Sequence, residues 1–201
     1  MNVITLASRK GGAGKSTLTA HLAACAWSNG YQCLLIDADP QGSLTLWHSQ
    51  RLGRGPALQS AARGIERAIA FAAIDGFEWV FIDTAPTMWV VVQEAIRAAT
   101  LVIIPARPGF FDLDSVRETI AAARQRLAEL HLTSVRRYVT TPKVHRLASC
   151  RTHRPTALAK FHPLARMGET SDIVDAVLYL QNATFVTGEN IRVDGGVHAG
   201  R

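Results

Sequence analysis

A chain of 201 residues, 48% hydrophobic and 19% charged, is long enough for one well-buried core with a small appendage. No apolar run approaches the roughly 20 residues of a membrane-spanning helix, and the first residues read as a short strand rather than a charged and then apolar leader. A soluble, cytoplasmic protein with no membrane partner is therefore expected. The net charge of +6 is local: the seven Lys and Arg between His131 and Lys160 stand without a single Asp or Glu, a block able to attract phosphate backbones. Cys25, Cys33 and Cys150 form no C-x-x-C pair and are odd in number, which disfavours a disulfide framework or a zinc site.

Taken in chain order, residues 1–130 alternate strand and helix signals in the manner of a parallel-sheet protein. Apolar, partly β-branched runs at Val3–Ala7, Cys33–Ile36, Trp79–Ile82 and Leu101–Ile104 read as buried strands. Helices are expected at Ser16–Ser28, which Asn29-Gly30 stops, from near Pro56 to Ala73, at Val90–Ala99 and at Leu113–Leu130. The expected fold class is α/β, a P-loop NTPase-like parallel sheet flanked by helices, with the ligand outside the carboxyl ends of the strands.

The first strand runs into SRKGGAGKST, Ser8 to Thr17. A standard phosphate loop, G-x-x-x-x-G-K-[ST], wants glycine where this chain has Arg9. What stands instead is Lys10, Gly11, Gly12, Ala13, then Gly14-Lys15-Ser16-Thr17. The glycines permit a tight turn whose N–H groups, with the following helix N-terminus, can surround an anionic phosphate. Lys15 would lie along the β- and γ-phosphates of a nucleotide, and the Ser16 hydroxyl would ligate Mg²⁺. The second strand ends in LLIDADPQGS and the third in VFIDTAP, so Asp37, Asp39 and Asp83 reach the same sheet edge. One such Asp is often a turn residue. Three converging on one phosphate loop suit the management of Mg²⁺ and water.

KGGAGKST, IDADPQGS and FIDTAP, in this order, resemble the motifs of the ParA partition ATPases of the deviant Walker A group, over residue 1 to about 125 and including LVIIPARPGFFDLDSV. The resemblance implies ATP and Mg²⁺ as cofactors and an ATP-dependent homodimer sandwiching the nucleotides. It implies that Lys10 reaches the partner copy's phosphates while Lys15 acts in its own site. It further implies that Asp39 positions the attacking water, that Asp83 holds Mg²⁺ through water, and that Asp37 supports the metal side. A ParB-like centromere-binding protein and non-specific DNA are the partners it implies, and plasmid or chromosome partitioning, or a related DNA positioning, is the process.

HPLARMGETSDIVDAVLYL followed by FVTGENIRVDGG, about residues 162–200, resembles instead the C-terminal end of short-chain dehydrogenase/reductases. That family's catalytic Tyr-x-x-x-Lys is absent: Tyr138 and Lys143 are five apart, and four residues beyond Tyr179 stands Ala183. The expected organisation is a ParA-like core at 1–130, a basic junction at 131–161 and a non-catalytic tail at 162–201. Within that tail a helix at Asp172–Leu180 and a strand at Asn190–Val193 are too small to bury a core alone, so they must pack on something else. The alternative reading is a chimeric or truncated, non-catalytic oligomerising protein.

Overall fold

The computed structural model describes residues 1–105, 116–121 and 170–182. Five strands form one sheet: β1 (Asn2–Leu6), β2 (Cys33–Ala38), β3 (Ala57–Ser60), β4 (Trp79–Thr84) and β5 (Leu101–Ile103). Their order is β3-β2-β4-β1-β5 and every pairing is parallel. The intervening helices are α1 (Lys15–Ser28), α2 (Ser43–Ser49), α3 (Ile65–Ile74) and α4 (Trp89–Ala98), and the tail contributes α5 (Thr170–Asn182). Residues 116–121 are helical.

The strands are apolar on both faces because both faces are covered. Alternate residues go to opposite sides. Cys33 and Leu35 of β2, Trp79 and Phe81 of β4, and Leu101 and Ile103 of β5 join a core with α1, with Leu44 of α2 and with Val174 and Val177 of α5. Leu34, Ile36, Val80 and Ile82 point the other way, onto Ala68 and Ala72 of α3 and Ala95 of α4. A third cluster, Ala7, Val92, Ile96, Val102, Ile104 and Val116, closes that face beside β5. The tail helix thus lies where the need to bury its apolar stripe demands, on the sheet face that α1 covers.

Two elements differ from the sequence reading. Ala57–Ser60, placed within a helix candidate from near Pro56 to Ala73, is an edge strand paired with Leu34–Asp37, and the helix starts only at Ile65. The short α2 was not foreseen at all. Expected features at 106–115, 122–169 and 183–201, among them most of the Leu113–Leu130 helix, the basic junction and Asn190–Val193, lie outside the described residues.

Candidate functional site

The register brings the motifs together. Leu6, the last residue of β1, pairs with Asp83 of β4, and Asp83 pairs on its other side with Asp37 of β2. The loop leaving β1 therefore starts beside two carboxylates at the carboxyl edge of the sheet. Its root is fixed by backbone and side-chain bonds: the Ala7 N–H donates to the Ile103 carbonyl at 3.0 Å, and the Thr84 hydroxyl donates to the Leu6 carbonyl at 2.8 Å.

The loop then turns on glycines. Gly12 and Gly14 have φ of 70° and 90°, and Gly14 is the N-cap of α1. Space around Gly14 is open, so the left-handed backbone, and not crowding, is what calls for glycine there. No side chain caps α1 and no acid stands in its first turn. Its leading N–H groups and the positive end of its dipole are thus available to an anion.

Lys15 is 6% exposed. Its ammonium donates to the carbonyls of Ser8 and Lys10, both at 3.3 Å. Burial lowers its pKa, while the charges of Asp83 and Asp39 act in the opposite sense. The Lys15 carbonyl is in turn bonded by the buried Thr19 hydroxyl at 2.9 Å. Lys10 is half-buried, and its N–H makes a long 3.3 Å bond to the Ser8 hydroxyl.

The three aspartates occupy different environments. Asp83 is fully buried, and neither carboxylate oxygen has a hydrogen-bond partner. Burial pushes its carboxyl up to about 6; the Ser16 hydroxyl, near enough to favour the ionised form without meeting hydrogen-bond geometry, and Lys15 oppose the rise, while Asp37 and Asp39 add to it. Asp37 is buried and engaged: Oδ2 accepts from the Thr45 N–H at 3.0 Å and its hydroxyl at 2.7 Å, and Oδ1 accepts from the Asp39 N–H at 3.3 Å. Asp39 is half-buried and caps its own turn, Oδ1 accepting from the Gln41 N–H at 2.9 Å. Among the described residues no three His, Cys, Asp or Glu side chains form a ready metal cage.

The sequence reading missed what Arg9 and Thr45 do. Arg9, noted only as a departure from glycine, pairs with Glu118 at 2.6 Å and lies 5.2 Å from the Trp89 ring centroid. Its neighbour Lys10 drew the attention because two lysines in one loop is an overt signal. A partner 109 residues away leaves no local trace.

A parallel sheet whose first strand runs into a glycine loop, a lysine and a helix N-terminus, with aspartates at the ends of the neighbouring strands, defines a P-loop nucleotide-binding protein. Residues 4–149 match the CbiA family, described as the CobQ/CobB/MinD/ParA nucleotide binding domain, and the chain belongs to that family. It is 32% identical over 125 residues to maintenance of carboxysome distribution protein A of Gloeobacter kilaueensis, covering 60% of this chain and 56% of that protein. It is 28% identical over 158 residues to the chromosome-partitioning ATPase Soj of Thermus thermophilus, covering 64% of each. The chain thus spans between about half and two thirds of these relatives. The fold is also that of cobyrinic acid a,c-diamide synthase from Mycobacterium smegmatis, solved with bound ADP and magnesium: the TM-score is 0.60 at 22% identity over 89% of this chain and 94% of that one.

Proposed function

We propose that this protein is a ParA-like ATPase that binds ATP with Mg²⁺, dimerises around the nucleotides and acts in plasmid or chromosome partitioning or a related positioning of DNA. The observation that carries the reading is the pairing of a buried lysine with a buried, unpartnered carboxylate at one phosphate loop. Lys15 is held by carbonyls at the long distance of 3.3 Å, so phosphate oxygens would be its stronger, charge-assisted partners. Asp83 has two buried oxygens without partners, which is a costly arrangement unless a cation or ordered water meets it. Mg²⁺ ordinarily takes one or two carboxylates and completes its shell with phosphate oxygens and water. Ser16 and Asp83 fit that donor set, and Asp37 fits a supporting role through Thr45 and the Asp39 backbone. The ion would supply charge neutralisation at the β- and γ-phosphates.

The chain's own residues divide the work. The N–H groups of Gly11, Gly12, Ala13, Gly14, Lys15, Ser16 and Thr17, with Lys15, supply phosphate affinity. Asp39, less buried than Asp37 and Asp83, can hold a water for attack. Lys10 would reach the partner copy's phosphates and stabilise transition-state charge as an arginine finger does. A ParB-like protein and non-specific DNA are the partners this reading assigns, and the acid-free residues 131–160 supply cations for the latter. The likeness of residues 162–200 to short-chain dehydrogenase/reductases rests on sequence, and we read it as ancestry of a structural element: α5 packs its Val174 and Val177 into the core.

Equilibrium binding of ATP and ADP, alongside steady-state hydrolysis, tests the reading. Lys15→Ala should abolish nucleotide binding. Lys10→Ala and Asp39→Ala should leave binding largely intact and remove turnover, because their contributions fall in the transition state. Unchanged binding in Lys15→Ala would sink the assignment, and an Asp39→Ala variant that lost affinity as severely as Lys15→Ala would overturn the division of roles.

A further inference from the structure

Arg9 sits where an ordinary phosphate loop has glycine, and its side chain is committed in two directions. The guanidinium pairs with Glu118 on helical residues 116–121 and lies over Trp89, the first residue of α4. An ion pair whose side chains are 46% and 53% exposed contributes little in most proteins, because two long side chains must be immobilised in water. Here both anchors stand on one packed cluster. Val116, two residues before Glu118, is buried among Ala7, Val92, Ile96, Val102 and Ile104, and Trp89 packs against the same group. Thr119, next to Glu118, is fully buried. The backbones that carry both anchors are held by this packing, which lowers the cost of ordering the pair, and the ring face adds a cation–π attraction to the charge pair.

We propose that Arg9 is a positioning residue: its clasp on Glu118 and Trp89 fixes the start of the phosphate loop and thereby the residue joined to it, Lys10. The Lys10 N–H bond to Ser8 is 3.3 Å long and the Lys10 carbonyl shares the Lys15 ammonium at the same distance. α4 follows β4 after the four-residue connection Ala85 to Met88, so the clasp also ties the loop to the segment that leads out of the Asp83 strand. This role rests on the reading of Lys10 as a phosphate-directed cation, but the clasp has a signature independent of nucleotide.

The test uses the full chain and the variants Arg9→Ala, Arg9→Lys, Glu118→Gln and Arg9→Ala/Glu118→Gln. Amide hydrogen exchange of the segment from Ser8 to Gly12, measured without nucleotide, should quicken by at least about threefold in Arg9→Ala and Glu118→Gln. Arg9→Lys, which keeps the charge, should restore most of the protection. In turnover, Arg9→Ala should lower kcat by about three- to tenfold with ATP affinity within about twofold of wild type, the pattern of a misplaced catalytic group. The double variant should be no worse than Arg9→Ala alone, since one interaction is removed twice. Unchanged exchange in Arg9→Ala, or a double variant whose losses multiply, would overturn the proposal. A wild-type chain that neither binds nor hydrolyses ATP would instead overturn the nucleotide reading, with the exchange arm still deciding the clasp.

Discussion

Asp83 is buried without a hydrogen-bond partner, and burial raises its pKa from 3.8 to about 6. The protonated form is therefore the one the fold favours. Its stabilising contribution is complete below pH 4 and is lost as pH rises through about 6, because the folded protein must then hold a desolvated charge. At about 1.4 kcal/mol per pKa unit, the cost above pH 7 is about 3 kcal/mol. Asp83→Asn keeps the shape and removes the charge. Without nucleotide or Mg²⁺ it should be more stable than wild type at pH 8 by up to that amount, the gap closing near pH 4. Urea unfolding across that range checks it, and an Asp83→Asn variant less stable than wild type at pH 8 would contradict the account. That the glycine loop and the strand-end aspartates gather at one edge of the sheet was legible in the sequence, because glycine turns and strand-end carboxylates are local signals. Their differing environments were not, since Asp37 and Asp83 sit in equivalent places on adjacent strands and only the fold supplies one of them with Thr45.

That Thr45 contact caps the start of α2. Seven residues, SLTLWHS, are too few to be helical on propensity. The N-cap Gly42 offers no side-chain cap, and Asp37, reaching from β2, bonds the Thr45 N–H and hydroxyl instead. Thr45→Val removes the hydroxyl bond at 2.7 Å and leaves the buried Asp37 oxygen one partner short. It should destabilise the protein by about 1–3 kcal/mol, measured by denaturant unfolding, and the loss should shrink in an Asp37→Asn/Thr45→Val pair. No loss in the single variant would show that α2 is held by Leu44 packing alone. The same dependence on distant partners explains why β3 was read as helix. Ala57-Leu58-Gln59-Ser60 has no β-branched residue and no clean alternation. It is a strand because the edge of β2 offers it a ladder, and tertiary context overrides so weak a preference. The long apolar runs of β1, β2 and β4 needed no such help, because strands buried on both faces declare themselves by composition.

Across the whole molecule α5 joins the sheet at its α1 face. Val177 is fully buried and Val174 nearly so, within the cluster that holds Leu18, Leu22, Leu101 and Ile103. Val177→Asp places an unpaired charge there and should cost at least about 3 kcal/mol, whereas Tyr179→Asp, at a position 59% exposed, should change little. Tryptophan fluorescence during denaturation is a suitable probe, because Trp27, Trp47, Trp79 and Trp89 all lie in the first hundred residues. A Val177→Asp transition matching wild type would mean that the tail is not part of the cooperative unit. The sequence announced that this helix needed a surface to pack on, though nothing in its own pattern named α1, since any apolar face would satisfy an amphipathic stripe. The strand order carries a further consequence, for synthesis. β1 is made first, yet it sits between β4 and β5, pairing Asn2 with Trp79 and Ile4 with Leu101. As a ribosome extends the chain, β1 and the phosphate loop wait unpaired until β4, at Trp79–Thr84, has emerged. Closing a loop of that length is entropically costly and slow. Nucleotide therefore cannot act as an early template for folding: the nascent chain acquires its binding site late, when the third of its long apolar strands arrives.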